Sequence, residues 1–290
     1  MGQKNQMDPM TKLFLFLGDL SDRCLTTEDS PDSNVLCSKI LLVAGGSSEV
    51  EFLDSCMDCE EKGCLEIENY PLELEEDYWW KSFGGVLNQT VVICHSVATN
   101  SLDPSNCYKV GDDGKWSLLG TGPVCHGCAA ATVEIQGEEF LWVTGKYLTK
   151  LVDAEGNISD GINFPVVEGS PIRDHHCMAS FEHTVLVTGG YRGSHQSTIT
   201  NGVIIFNTSN SFSYIEGPNM IEDRFNHACS IIVSPAHEGR PLAIMAGKNT
   251  AEVLDFSIPG SNWQLSEYLY LCGFKYYDLR METFHWKGNN

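Results

Sequence analysis

Short apolar runs, separated by polar and glycine-rich turns, recur along the chain. In the clearest example a strand from Cys177 to Phe181 is followed by Thr184–Thr188, which is apolar or β-branched at every position. Such a run is typical of a strand buried on both faces. Gly189 and Gly190 end it, and apolar strands follow at Gly202–Phe206 and Phe212–Ile215. The pattern predicts four antiparallel strands in about forty residues, the content of one propeller blade.

The same arrangement recurs, with second strands that end near residues 46, 95, 145, 190 and 247. The period is about fifty residues, within the range of propeller repeats. One four-stranded sheet cannot bury both of its faces, so successive sheets are expected to stack around an axis. We therefore predict an all-β propeller with five clear blades. A sixth, short or incomplete, would come from the residues after Trp263.

Two repeats carry parts of one ordered set of residue types: arginine three residues before histidine, an apolar strand, two glycines, and then a strand that ends in aspartate before tryptophan. Neither repeat carries every element. One repeat has Arg173, His176 and Gly189-Gly190, and the next has Arg224, His227, Gly247, Asp255 and Trp263. This order resembles the kelch motif, and the resemblance covers roughly residues 35 to 265. In its cysteines and glycosylation sequons the chain is similar to the secreted kelch propellers of invertebrate animals.

The N-terminal segment, residues 1–34, precedes the expected propeller of residues 35–290. Its apolar run Leu13–Leu17 follows a single basic residue. The run is short for a signal peptide, whose apolar region takes about seven to fifteen residues. It is either a truncated signal or a strand that closes the ring as the first strand of the first repeat. No run approaches the length of a membrane span, so we expect no transmembrane segment.

The net charge of the chain limits the classes of molecule that it is expected to bind. The 290 residues carry a formal net charge of −21, with a pI near 4.6. Nucleic acid binding needs a basic surface, so we exclude nucleic acid as a partner. An acidic surface favours solubility and can attract cations or basic proteins. We expect a monomer that binds another protein or a component of the extracellular matrix.

The twelve cysteines indicate an oxidising compartment, where disulfides persist. Cys94 and Cys107 flank one loop and are expected to bridge adjacent strands, while Cys24 and Cys37 could join the N-terminal segment to the first repeat. Cys56, Cys59 and Cys64 form a close cluster. Zinc would need a fourth ligand there, and none is close in sequence, so disulfides are favoured. Spacing alone does not fix the pairing.

Three N-x-S/T sequons lie in predicted turns, at Asn88, Asn157 and Asn207. N-linked glycans are tolerated where side chains are solvated, so these three asparagines are candidates for glycosylation. Together with the cysteines they favour a secreted protein, although the chain has no clean signal peptide.

The histidines have two possible roles: they could bind a metal ion, or they could have a structural role between blades. His126, His176 and His227 fall in one predicted repeat column, which would spread them over three blades, so we expect imidazoles bonded to backbone groups at blade junctions and no metal. Copper oxidases of the galactose oxidase type also use a kelch propeller. Their set of two tyrosines, two histidines and a crosslinked cysteine has no match here, and we expect no cofactor.

The function is expected to lie in loops on a rigid ring. The longest variable loops are Ser55–Gly63, Tyr191–Asn201 and Ser234–Arg240. Tyrosine and arginine dominate binding hot spots, so Tyr191, Arg192 and His195 are the predicted contact residues. The first hypothesis is a non-enzymatic extracellular protein-binding or scaffold propeller. The alternatives are a secreted propeller enzyme, an oxidase or glycan hydrolase, and an intracellular kelch adaptor.

Overall fold

The fold is known from a computed structural model. It describes the following residues: 13–18, 39–44, 50–54, 82–88, 90–95, 104–111, 114–125, 127–145, 148–161, 174–191, 199–209, 213–234, 240–247 and 250–266. All of the regular structure in these ranges is β-structure, arranged as five antiparallel sheets.

The first sheet, called the N-terminal sheet, has three strands and the other four sheets have four each. The N-terminal sheet contains β1 (Leu13–Gly18), β2 (Lys39–Ala44) and β3 (Val50–Asp54). Blade 1 contains β4 (Ser82–Leu87), β5 (Thr90–His95), β6 (Asn106–Val110) and β7 (Trp116–Thr121). Blade 2 contains β8 (Ala129–Ile135), β9 (Glu138–Gly145), β10 (Leu148–Val152) and β11 (Ile158–Asp160). Blade 3 contains β12 (Cys177–Phe181), β13 (Thr184–Thr188), β14 (Val203–Asn207) and β15 (Ser213–Glu216). Blade 4 contains β16 (Ala228–Ser234), β17 (Arg240–Gly247), β18 (Thr250–Asp255) and β19 (Gln264–Leu265).

The propeller-like architecture is confirmed, but the predicted number of blades is wrong. The described residues form four blades, where the sequence predicted five clear blades and a short sixth. The first predicted repeat is the three-stranded N-terminal sheet, in which β1 pairs with β2 along its whole length. The residues assigned to a sixth blade, 267–290, lie outside the described ranges. The fifty-residue period counted the first repeat as a blade, whereas its sheet has three strands and not four.

The first strands of successive sheets are neighbours. β4 lies against β8, β8 against β12, and β12 against β16, while β1 contacts both β16 and β4. The blades therefore follow one another around an axis, with the first strand of each sheet innermost, as a propeller requires.

The core lies between blades. In blade 2, Leu141 and Val143 of β9 pack toward blade 1, while Trp142 between them packs toward blade 3. In blade 3, Val185 and Val187 face blade 2 and Leu186 faces blade 4. Because side chains alternate along a strand, a second strand between two blades is apolar at every position. The prediction that Thr184–Thr188 is buried on both faces is confirmed.

The diglycine after β13 is required by its backbone and by its surroundings. Gly189 and Gly190 have φ values of 61° and 89°, in the left-handed region that favours glycine. A Cβ atom on Gly189 would lie 2.5 Å from the carbonyl oxygen of Arg224, and one on Gly190 would lie 2.7 Å from that of Asp174. The diglycine thus allows the connections into blades 3 and 4 to approach β13 closely.

Candidate binding face

Two kinds of connection meet at one end of the strands, which we call the entry face. They are the segments that lead into the first strand of each blade and the loops that join second strands to third strands. In blades 3 and 4 the starts of β12 and β16 lie side by side, joined by the Cys177–Cys229 disulfide. The other end, which carries the turns between first and second and between third and fourth strands, is the exit face.

A ladder of main-chain hydrogen bonds crosses the entry face from blade to blade. The N–H of His175 donates to the carbonyl oxygen of Gly127 at 2.6 Å, and the N–H of Asn226 donates to that of His175 at 2.9 Å. Gly127, His175 and Asn226 all lie two residues before their first strand. All three have left-handed φ values, of 63°, 56° and 48° respectively. The left-handed residue therefore recurs at the same position in blades 2, 3 and 4.

The residue after each ladder position contacts the preceding blade. Thr144 of blade 2 bonds the Nε2 of His176 at 2.7 Å, and Thr188 of blade 3 bonds that of His227 at 2.8 Å. Both histidines are buried. The prediction of imidazoles at blade junctions is therefore confirmed, although these bonds use threonine hydroxyls and not backbone groups.

The predicted column of three histidines is wrong in one member. Strand register pairs Ala129 with Thr144, and Cys177 with Thr188, at corresponding ends of the second strands. Counting back from these pairs places Cys128, not His126, at the position of His176. His126 itself lies outside the described residues. The sequence places His126 in the column because the repeats are aligned by residue type alone. The pairing of first and second strands shifts the alignment of blade 2 by two residues.

An aromatic cluster covers the ladder near its centre. The Tyr191 ring lies 5.3 Å from the His175 ring and 4.8 Å from that of Phe225, measured between centroids. The His175 Nδ1 lies 2.6 Å from the Asn226 Oδ1. Tyr191 is only 8% exposed, and burial raises the pKa of its phenol to about 12. His175, Phe225 and Asn226 are half-buried, so the cluster combines a buried anchor with partly accessible aromatic and amide groups.

Tyr191 thus belongs to this cluster, whereas the other predicted contact residues, Arg192 and His195, lie outside the described residues. The loop that contains all three, Tyr191–Asn201, leaves β13 at the entry face. The loop Ser234–Arg240 joins β16 to β17 and so belongs to the exit face. Ser55–Gly63 is outside the described ranges. The ends of Tyr191–Asn201 and of Ser234–Arg240 therefore lie at opposite ends of the strands, and residues 192–198 and 235–239 between them are outside the described ranges.

A buried ion pair supports the segment that leads into blade 4. Arg224 and Glu252 are both fully buried, and the Nη2 of Arg224 lies 2.7 Å from the Oε1 of Glu252. The same guanidinium donates to the carbonyl oxygen of Gly247, and Glu252 accepts the main-chain N–H groups of Ile221 and Glu222. The arginine of the Arg-x-x-His pattern therefore fixes the entry-face backbone. The sequence analysis identified Arg224 but not Glu252. Glu252 lies between the apolar residues Ala251 and Val253 of β18, and nothing in that pattern indicates a charged partner for it.

Three disulfides are present among the described residues. Cys94–Cys107 joins β5 to β6, as the sequence predicted. Cys125–Cys128 and Cys177–Cys229 were missed. The remaining candidates, Cys24, Cys37, Cys56, Cys59 and Cys64, lie outside the described residues, and their pairing stays a prediction.

The missed Cys125–Cys128 bridge has a signal in the sequence. By strand register, Cys125 and Cys128 occupy the positions of Arg224 and His227 in blade 4. A C-x-x-C pair in blade 2 therefore stands where blade 4 has Arg-x-x-His. Both cysteines are buried in the core between blades 1 and 2, beside Cys94 and Cys107. This bridge fixes the entry segment of blade 2 by a covalent bond, where blade 4 uses an ion pair and a histidine.

Within the described ranges, no helix is long and apolar enough to cross a membrane. No group of three or more histidine, cysteine or acidic side chains in this part of the chain is placed to hold a metal ion. No protein family matches the chain, and no curated protein matches it significantly.

Proposed function

We propose that the chain is a non-enzymatic, extracellular kelch-like propeller that binds another protein through its entry face. The observation that carries the proposal is the cluster of Tyr191, His175, Phe225 and Asn226 on a rigid main-chain ladder. Aromatic side chains held by a fixed backbone bind with little loss of conformational entropy, which favours a protein hot spot. Propellers commonly present such surfaces on their loops.

The disulfides support the extracellular part of the proposal. Cys94–Cys107 lies within one blade and Cys177–Cys229 lies between two blades. Disulfides that join separate elements are characteristic of secreted proteins, because reducing compartments keep thiols free. An intracellular adaptor would have to fold with these buried cysteines reduced.

The kelch assignment is supported by the positions of its motif residues. His176 and His227 occupy equivalent junctions, and Gly189-Gly190 provides the close approach between blades. Trp263 is buried in the core between blades 3 and 4, and its indole N–H donates to the carbonyl oxygen of Pro218. These two histidines, the diglycine and Trp263 therefore each have a physical role where blades meet, while Arg173 lies outside the described residues.

The partner is expected to approach with a complementary charge. The net charge of −21 would attract a basic protein and accelerate its association at low ionic strength. Binding should therefore weaken as salt is added, mainly through a slower association rate.

Site-specific photocrosslinking tests the proposal. A benzophenone amino acid is placed at Ile221, exposed on the entry face, or at Ile258, exposed in the turn between β18 and β19 on the exit face. Each protein is then incubated in the extracellular fluid of its source. The proposal predicts one reproducible protein adduct from position 221, lost when Phe225 and His175 are both changed to alanine. Equal adducts from both positions, or adducts insensitive to the double substitution, would contradict it.

A further inference from the structure

The three glycosylation sequons lie on one face of the propeller. Asn88 is in the turn between β4 and β5, Asn157 precedes β11, and Asn207 ends β14. These are turns between first and second or third and fourth strands, so all three asparagines belong to the exit face. The full sequence contains only these three sequons.

The three positions are accessible and ordered by neighbouring turns. All three asparagines are exposed. The main-chain N–H of Asn88 donates to the Glu139 carboxylate of blade 2 at 2.5 Å, and the N–H of Asn157 donates to Asp153 at 2.7 Å. Next to Asn207, the N–H of Thr208 donates to the carbonyl oxygen of His183 at 2.8 Å. Each sequon therefore projects from a fixed turn, where a glycan can extend into solvent.

The sequons also occupy consecutive blades. Asn88 is in blade 1, Asn157 in blade 2 and Asn207 in blade 3, and the first strands of these blades are neighbours. We propose that all three asparagines carry N-linked glycans, which together cover the exit face of blades 1 to 3 and leave the entry face open. This inference rests on the proposed extracellular function, because only the secretory route attaches such glycans.

The first test is site occupancy. The full chain is produced in a glycosylating secretory host, and its intact mass is measured before and after enzymatic removal of N-glycans. Three glycans are expected, and each of Asn88→Gln, Asn157→Gln and Asn207→Gln should remove one. A secreted, disulfide-bonded protein without glycans at these positions would overturn the inference and leave the proposed function intact. Free thiols in the native protein would instead overturn the function.

The second test measures which face is covered. Hydroxyl-radical labelling is compared between the glycosylated protein and the same protein after glycan removal. Labelling of His183 and Ile158, near the exit face, should rise severalfold on removal, while labelling of Val124 and Phe225 on the entry face should stay constant. A similar rise on both faces would show that the glycans do not segregate and would overturn the inference.

One substitution provides a matched control. Ile221→Thr converts Asn219-Met220-Ile221 into a sequon on the entry face. Asn219 is exposed, and the hydrogen bond from residue 221 to Glu252 uses its main-chain N–H and is retained. In this variant glycan removal should also increase labelling of entry-face residues. If labelling of entry-face residues rises only in this variant, and labelling of His183 and Ile158 rises as it does in the unchanged protein, then the labelling shows which face each glycan covers.

Discussion

The main-chain N–H of Asn226 donates a 2.9 Å hydrogen bond to the carbonyl oxygen of His175, which joins blade 4 to blade 3. His175 makes the equivalent bond to Gly127 of blade 2. The left-handed conformation at Gly127 and at His175 directs the carbonyl oxygen of each toward the next blade. The ladder explains why glycine, histidine and asparagine share one structural position, since asparagine and histidine tolerate positive φ better than most residues. It also supports the aromatic cluster of the proposed binding face.

Two glycine substitutions test the ladder. Gly127 and Gly137 both have left-handed φ values, of 63° and 84°. A Cβ atom on Gly127 would lie 2.9 Å from the His175 ring, whereas one on Gly137 would meet nothing within 4 Å. Gly137→Ala should lower the free energy of unfolding by about 1–2 kcal/mol, the cost of left-handed backbone alone. Gly127→Ala should lower the free energy of unfolding, measured by chemical denaturation, by clearly more than Gly137→Ala does. Equal decreases for the two variants would contradict a tight contact between residue 127 and the His175 ring.

The Arg224–Glu252 pair should contribute strongly to stability when one partner alone is removed. Glu252→Gln is expected to lower the free energy of unfolding by about 3–5 kcal/mol, because it removes the buried carboxylate and leaves the Arg224 guanidinium only the partly exposed carboxylate of Glu222, at 3.4 Å. Arg240→Gln is the control, since Arg240 forms a more exposed pair with Asp255. That change should cost at most about 1 kcal/mol. Urea denaturation measures both, and similar effects would contradict the assigned role of Arg224.

The hydroxyl–imidazole contact between blades should appear as coupling between Thr188 and His227. In a double-mutant cycle of Thr188→Val and His227→Leu, the two effects should deviate from additivity by about 0.5–3 kcal/mol. Thr144 contacts His176 and not His227. A cycle of Thr144→Val and His227→Leu should therefore be additive to within about 0.5 kcal/mol. Coupling of the same size in both cycles would point to a general loss of packing.

Ionisation of Tyr191 should reduce stability at high pH. Its pKa is raised from 10.0 to about 12 in the folded protein. The stability gained by holding the phenol neutral is fully present below pH 10 and is lost as the pH rises toward 12. The difference in ultraviolet absorbance between the native protein and Tyr191→Phe should show a late phenolate transition near pH 12. A transition near pH 10 would show that the ring is solvated.

The sequence predicted features that depend on one strand or one hairpin. Thr184–Thr188 was correctly placed because an apolar, β-branched run leaves few other conformations, and Cys94 was paired with Cys107 because they flank one loop. Of the relationships set by the stacking of blades, the sequence predicted histidines at blade junctions but not the partners of individual residues. Cys177 and Cys229 are 52 residues apart and meet only because β12 and β16 are adjacent. Glu252 is likewise 28 residues from its partner Arg224 in the sequence, and the two meet only because the segment that leads into blade 4 packs against β18.

The most direct test of the account is peptide mapping of the protein from its native source, digested without reduction after its free thiols are blocked. The account predicts linked peptides for Cys94–Cys107 and Cys177–Cys229, and a peptide that contains both Cys125 and Cys128 and is lighter than its reduced form by two hydrogen atoms. The Cys177–Cys229 pair is the most informative, because it requires both an oxidising compartment and adjacent blades 3 and 4. Blocked, unlinked thiols at Cys177 and Cys229 would contradict an extracellular propeller, and a different pairing of these two cysteines would contradict the order of the blades.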